Sequence, residues 1–153
     1  MQSLTKDLAA FFDKKVIILQ PIPVSRGYYN ERVKMYSADS ILMELHYLRP
    51  DSITSIVGLT HLPLFTFKKA KPIDYYEEDL FGHGYQPGYV CIISDHKIRN
   101  RDPKFLREVL KNGIVHELGH NMGLSHCSDK NCVMNKLIIG GNYCDSCLGK
   151  LKK

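Results

Sequence analysis

The sequence predicts one domain of mixed α/β (α+β) class, and three observations predict it. Short apolar runs rich in β-branched residues, at 16–19, 53–59 and 89–95, have the composition of buried strands. Between and around them, 4–12, 37–48 and 102–122 place apolar residues at helical spacing. The whole chain, 1–153, with 44% hydrophobic and 24% charged residues, is long enough for one packed core around a sheet.

Taken in order, Leu4, Leu8, Phe11 and Phe12 form a helical stripe, and Val16 to Leu19 follows as a short buried strand. Pro21, Pro23 and Gly27 mark a loop, and 28–36 reads as an irregular approach to the next helix. Ser37 is the N-cap of that helix, with Asp39 in the first turn to complement the dipole. Ile41, Leu42, Leu45 and Leu48 make its apolar face, and Pro50 ends it. His46 on this helix reads as a surface or half-buried histidine. Ile53 to Leu59 is a core strand, and 60–65 is a loop or a second short strand in which His61 is a plain loop residue. The stretch 68–79 is polar. Its adjacent Glu77 and Glu78 diverge in either regular structure, so they read as solvated rather than as an acid/base pair. A Gln86-Pro87-Gly88 turn leads into Tyr89 to Asp95, the second clear core strand, with Cys91 as a buried small hydrophobe.

Asp102-Pro103 opens the longest helix, Asp as N-cap and Pro at its first position. Phe105, Leu106, Val109, Leu110, Ile114, Leu118 and Met122 continue a period near 3.6, and Gly113 permits close packing against the sheet. Inside this helix begins His116-Glu117-Leu118-Gly119-His120-Asn121-Met122-Gly123-Leu124-Ser125-His126. His116 and His120, four apart, share one helix face and can grip one metal ion. Gly123 takes the turn that ends the helix, so that the chain swings back to present His126. Three imidazoles leave one tetrahedral position open, the arrangement of a catalytic zinc. Glu117 stands beside that position, where a free carboxylate can act as general base on a zinc-bound water attacking a peptide carbonyl.

Beyond His126 come Cys127, Cys132, Cys144 and Cys147. Two cysteine pairs on short loops are the layout of a closed structural zinc site. Two disulfides, free thiols or an iron–sulfur cluster are the alternative uses of four such residues. An odd count of five cysteines and the absence of a leader-like N-terminus favour a reducing, cytoplasmic setting and metal over disulfides.

The H-E-x-x-H-x-x-G-x-x-H spacing is that of the metzincin metallopeptidases. With Cys127 directly after His126, then Cys132, Met134 and the Cys144/Cys147 pair, the chain resembles the archaemetzincin branch of that group. The match is strongest from Val115 to Cys147 and extends more weakly back to about Tyr28. The resemblance implies a zincin-like fold: a twisted mixed sheet, a backing helix at 37–48, an active-site helix and a zinc-stapled C-terminal segment at 127–153. It implies that Met134 is the Met-turn floor beneath the zinc ligands. It also implies that Phe81, Gly82, His83 and Gly84 form the edge strand to which an extended substrate adds. Such domains usually begin with a strand before their first helix, whereas this chain starts at the helix. Only nine residues separate Met134 from Cys144, a departure from the family pattern.

The expected function is therefore zinc-dependent hydrolysis of peptide bonds in a peptide or protein substrate, with two Zn2+ per chain, one catalytic and one structural. The runner-up is a non-catalytic zinc module whose cysteine lobe and basic 150–153 tail dock an acidic partner or nucleic acid. A binding module has no need of Glu117, which favours the enzyme. The net charge of +5 is mild and its Lys and Arg are scattered, which disfavours a nucleic-acid partner. No run of 18 or more apolar residues is present, so no membrane span is expected, and a monomer is expected.

Overall fold

The computed structural model describes residues 2–69, 75–138 and 140–151. In chain order the elements are α1 (Gln2–Phe12), β1 (Tyr29–Asn30), β2 (Met35–Ser37), α2 (Ala38–Leu48), β3 (Ile56–Thr60), β4 (Leu64–Lys68), β5 (Tyr75–Glu78), β6 (Gly82–Gly84), β7 (Val90–Ser94), α3 (Pro103–Asn121) and α4 (Asp145–Leu151). The strands form two mixed sheets. One has the order β1-β2-β4-β5, with only β2 and β4 parallel. The other has the order β3-β7-β6, with β3 parallel and β6 antiparallel to β7. The expected α+β architecture is therefore present, divided between two sheets rather than one.

β7 explains how the layers stack. All five of its residues are buried, as a near-continuous apolar run requires of a central strand. Successive side chains point to opposite faces. Val90 and Ile92 join α2, Ile56 and Leu64 in one core, while Ile93 joins α1, α3 and the C-terminal segment in the other. The backing helix α2 thus lies on one side of β7 and the helix α3 on the other. The caps are those the sequence names. Ser37 Oγ accepts from Ser40 N at 3.2 Å. Asp102 Oδ1 accepts from Lys104 N at 2.9 Å and Phe105 N at 3.0 Å. Each satisfies amide groups that the first helical turn leaves free.

Four expectations need correction. Val16 to Leu19 is not a strand. Ile17, Ile18 and Leu19 are about half exposed, at 51%, 59% and 50%, and no described strand pairs with them. A β-branched run becomes a buried strand only where a neighbour supplies ladder bonds and a covering face, and here only Val16 packs against the core. Residues 28–36, expected to be irregular, include the β1–β2 pairing, and the polar stretch 68–79 includes β5, paired antiparallel to β4. Part of that stretch, 70–74, lies outside the described residues. The apolar stripe of α3 also runs past its core: Phe105 and Met122 are exposed, and instead every residue from Asn112 to Glu117 is buried. The helix is enclosed there by the sheet on one side and the C-terminal segment on the other. Gly113 makes this possible, because a Cβ at that position would overlap the ring of Phe81.

Leu42 and Ile18 test this arrangement. Leu42 is fully buried under β7, so Leu42→Ala should lower the urea unfolding free energy by about 2–5 kcal/mol. Ile18→Ser should stay within about 0.5 kcal/mol of the parent. A large loss for Ile18→Ser would restore the strand to the core.

Candidate active site and metal centres

His116 and His120 stand one turn apart on α3, with ring centroids 4.7 Å apart. The helix then stops. Met122 caps it and Gly123 takes φ +91°, a left-handed conformation that glycine adopts without a Cβ penalty. The reversal brings the His126 ring to 5.4 Å from His116 and 4.8 Å from His120. Each histidine offers a ring nitrogen, and these lie within 4.8 Å of one another.

Hydrogen bonds decide which nitrogens converge. His116 Nδ1–H donates to Val133 C=O, and His120 Nδ1–H donates to Leu124 C=O, both at 2.7 Å. A carbonyl can only accept, so in each neutral ring Nε2 is left as a lone pair. The two Nε2 atoms face each other at 3.1 Å. Lone pairs at that separation repel unless a cation lies between them. Two nitrogens bound to one tetrahedral zinc at about 2.0–2.1 Å sit about 3.3 Å apart, so the donor set fits the ion. Burial brings His116 down to about 4; the bond to Val133 opposes this, and the neighbouring His120 and His126 add to it. Burial also lowers His120 and His126. The three rings are therefore neutral near pH 7, the form that binds metal.

Glu117 lies under β6. It is 7% exposed. A Cβ on Gly82 would lie 2.5 Å from its Oε1, and one on Gly84 3.3 Å from its Oε2. The edge strand lies directly over the carboxylate because two glycines leave room. Burial pushes Glu117 up to about 7, with the charge of Lys68 working against it. One turn on, Asn121 Nδ2 donates to Tyr85 O at 2.7 Å and Val90 O at 3.0 Å. These bonds tie the β6–β7 connection to α3.

β6 is the outer strand of its sheet. Ser94 N donates to Phe81 O at 2.8 Å and Tyr85 N to Val90 O at 3.3 Å. Antiparallel ladders bond alternate residues, so His83 also faces β7, and Gly82 and Gly84 aim their N–H and C=O groups at the open edge. His83 projects to the face opposite Glu117. Its Nε2 lies 3.1 Å from Asp39 Oδ1.

The four cysteines also converge. Cys127 Sγ lies 3.7 Å from Cys144 Sγ, and Cys132 Sγ 3.7 Å from Cys147 Sγ. Bonded sulfurs would be about 2.05 Å apart, whereas two thiolates on one tetrahedral zinc at about 2.3 Å are about 3.8 Å apart. All four sulfurs lie within 4.8 Å of one another. Burial raises the thiols of Cys132 and Cys147, while the Cys147 backbone N–H lowers that of Cys144. Met134 is fully buried, with Sδ where a Cβ of Gly119 would sit. It packs on α3 between the two helical histidines. Tyr143 donates to Val115 C=O at 2.7 Å and closes the same face.

The sequence profile described as Peptidase family M54 matches residues 4–153. The chain belongs to that family. Among its relatives, the archaemetzincin of Archaeoglobus fulgidus is 30% identical over 134 residues, covering 88% of this chain and 75% of that protein. The archaemetzincin of Pyrococcus furiosus is 30% identical over 173 residues, covering 98% of this chain and 84% of that one. The crystal structure of the Archaeoglobus fulgidus archaemetzincin complexed with malonate superposes with a TM-score of 0.76 at 27% identity, over 97% of this chain and 90% of that one. That of the Methanopyrus kandleri archaemetzincin, at 23% identity, shows the same fold with a TM-score of 0.79 over 99% and 83%. The M54 chain is thus of the archaemetzincin family and is a zinc-dependent metallopeptidase. No helix among the described residues is long and apolar enough to cross a membrane.

The structure gathers the residues singled out from the sequence into two clusters, His116/His120/His126 and Cys127/Cys132/Cys144/Cys147, with Glu117 and Met134 beside the first. Phe81 packs behind β6 against the core, so the edge is made by Gly82, His83 and Gly84. Sequence reasoning missed Asn121 and the Asp39 partner of His83. Asp39 carries only a helix-dipole signal, and Asn121 carries none.

The raised basicity of Glu117 has a measurable sign. The fold favours its neutral acid, so its contribution to stability is complete below its ordinary 4.5 and is lost as pH rises through about 7. In metal-free protein, Glu117→Gln should therefore gain on the parent between those limits, by up to about 3 kcal/mol. A difference that stays flat with pH in urea titrations would show that the carboxyl is solvated.

Proposed function

We propose that this M54 peptidase cleaves peptide bonds with a zinc ion held by His116, His120 and His126 and with Glu117 as general base. A second zinc on Cys127, Cys132, Cys144 and Cys147 is structural. The observation that carries the reading is the pair of imidazole Nε2 atoms held 3.1 Å apart by two backbone carbonyls, with a buried carboxyl one residue along. A zinc ion at such a site supplies Lewis acidity, polarising a carbonyl and making water acidic near neutral pH.

The chain's own residues supply the rest. Gly82 and Gly84 offer backbone N–H and C=O groups to an extended peptide, orienting it along β6 beside the histidines. Glu117 takes a proton from the attacking water and returns it to the departing amine. The absence of side chains at Gly82 and Gly84 lets β6, and a peptide paired to it, lie close over Glu117. Met134 and Tyr143 hold α3 from beneath. Free thiols in a metal site are kept by a reducing compartment, which makes the cytoplasm the proposed location.

Two measurements test the reading. Metal counting should find two zincs per chain in both wild type and Glu117→Ala, with cleavage of a mixed peptide library only in the wild type. Cleavage by Glu117→Ala at the wild-type rate would refute the role given to Glu117.

The two sites are also coupled through one short stretch. Cys127 follows His126, and the His116 acceptor, Val133, lies between Cys132 and Met134. Cys127 N donates to Met134 O at 2.9 Å, which closes that stretch on itself. Cys147→Ser should therefore weaken zinc at the histidine site by about tenfold or more, the usual effect of disturbing groups that orient a ligand. Chelator competition reads this without any assay of turnover. Unchanged affinity at the histidine site would separate the two centres.

A further inference from the structure

The pairing of His83 with Asp39 crosses from the edge strand to the backing helix, and nothing in the proposed chemistry uses it. Asp39 sits in the first turn of α2. Its Oδ2 accepts from Thr66 Oγ1 at 2.7 Å and from Phe67 N at 3.4 Å. Its Oδ1 faces His83 Nε2 at 3.1 Å. Thr66 is buried, which fixes one carboxylate oxygen, while the Asp39 side chain remains 47% exposed and that of His83 20%. Burial alone would raise the Asp39 carboxyl, but the bonds from His83, Thr66 and Phe67 outweigh it and hold it down at about 2. It is a fixed anion at neutral pH.

Its position relative to the open edge is set by the ladder. A peptide bonded to the outward groups of Gly82 and Gly84 runs about 4.8 Å from β6. The peptide residue opposite His83 points to the same face as His83, because directly opposed residues share a face. That side chain lies alongside the His83 ring, and Asp39 stands at the far end of the ring. A short side chain stops level with the imidazole. A side chain with three or four methylenes reaches the carboxylate, and a cationic head there meets a fixed anion. Lys68, at the end of β4, is paired with Glu77 at 3.4 Å.

We propose that Asp39 and His83 form a specificity site that reads one substrate side chain, and that the side chain it takes is cationic, lysine or arginine. This rests on the reading of the chain as a peptidase whose substrate adds to β6.

The test uses fluorescent Gly/Ala peptides in which a single residue is moved along the sequence. Their binding to zinc-loaded Glu117→Ala protein is followed by anisotropy, and their cleavage by zinc-loaded wild type by mass spectrometry. At one position relative to the cut, arginine or lysine should bind about five- to tenfold more tightly than glutamine. Glutamate there should bind worse than glutamine. The preference should shrink as salt is raised from low to high, and should fall to near unity when Asp39→Asn is added. Should Asp39→Asn fail to fold, the salt dependence and the glutamate penalty in the Asp39 protein decide. Equal affinity for arginine and glutamine at every position, or a preference that survives Asp39→Asn, overturns the inference and leaves the peptidase reading intact. Peptides that neither bind nor are cleaved at all would instead overturn that reading, and this inference with it.

Discussion

Two backbone carbonyls, those of Leu124 and Val133, determine what the rest of the site can be. Each accepts the Nδ1–H of a histidine at 2.7 Å. That bond sets the tautomer and the ring orientation together, and it turns two lone pairs towards one point. Without it, histidines four apart on a helix share a face but are free to splay. With it, the rings are committed to a geometry that only a cation relieves. The carbonyls are themselves positioned by the chain beyond α3: Leu124 by the left-handed turn at Gly123, and Val133 by a stretch anchored at Cys132 and Met134.

This explains why the cysteine cluster sits so close to the histidine one. A loop that must hold a carbonyl at hydrogen-bond distance from a histidine ring needs rigidity, and the described residues from 127 to 143 have little regular structure to provide it. Its order comes from cross-links instead: four convergent sulfurs, the Val133–Asn142 backbone bond at 2.8 Å, and Tyr143 reaching Val115 on α3. The short connection between Met134 and Cys144 fits this logic. Within it, a Cβ on Gly140 would overlap the Asn131 backbone.

What the sequence makes legible divides along the same lines. The histidine spacing, the helix-ending glycine and the cysteine pairs are local, and local geometry comes from helical periodicity and turn chemistry alone. Ser37 and Asp102 are legible for the same reason, since a cap acts within three residues. Val16 to Leu19 misleads because a strand is defined by its neighbour, and composition does not say whether a neighbour exists. The hairpin elements β1, β2, β4 and β5 are weak signals for a related reason: β1 and β2 are half-buried throughout and β4 is buried over three successive residues, so alternation is blurred. Asp39 and Asn121 are invisible as site residues. Their partners lie 44 and 31–36 residues away along the chain, and no pattern in the sequence encodes that distance.

Gly82 and Gly84 connect these threads. A residue with a side chain at either position would collide with Glu117 or crowd it. The two glycines therefore let β6 lie over the carboxyl, and that cover is the burial that raises its basicity. The same two residues present their backbone groups to the open edge. On the proposed reading, the strength of the base and the docking of an extended chain are thus properties of one three-residue strand. Asn121 fixes that strand's connection to the very helix that carries Glu117, so Glu117 cannot move relative to the edge without breaking buried bonds. His83, between the two glycines, is left as the one side chain that β6 can use to sense what lies beside it, and it faces away from the base towards a fixed anion. On the proposed readings, chemistry and selection fall on opposite faces of the same strand, by the alternation that any strand must obey.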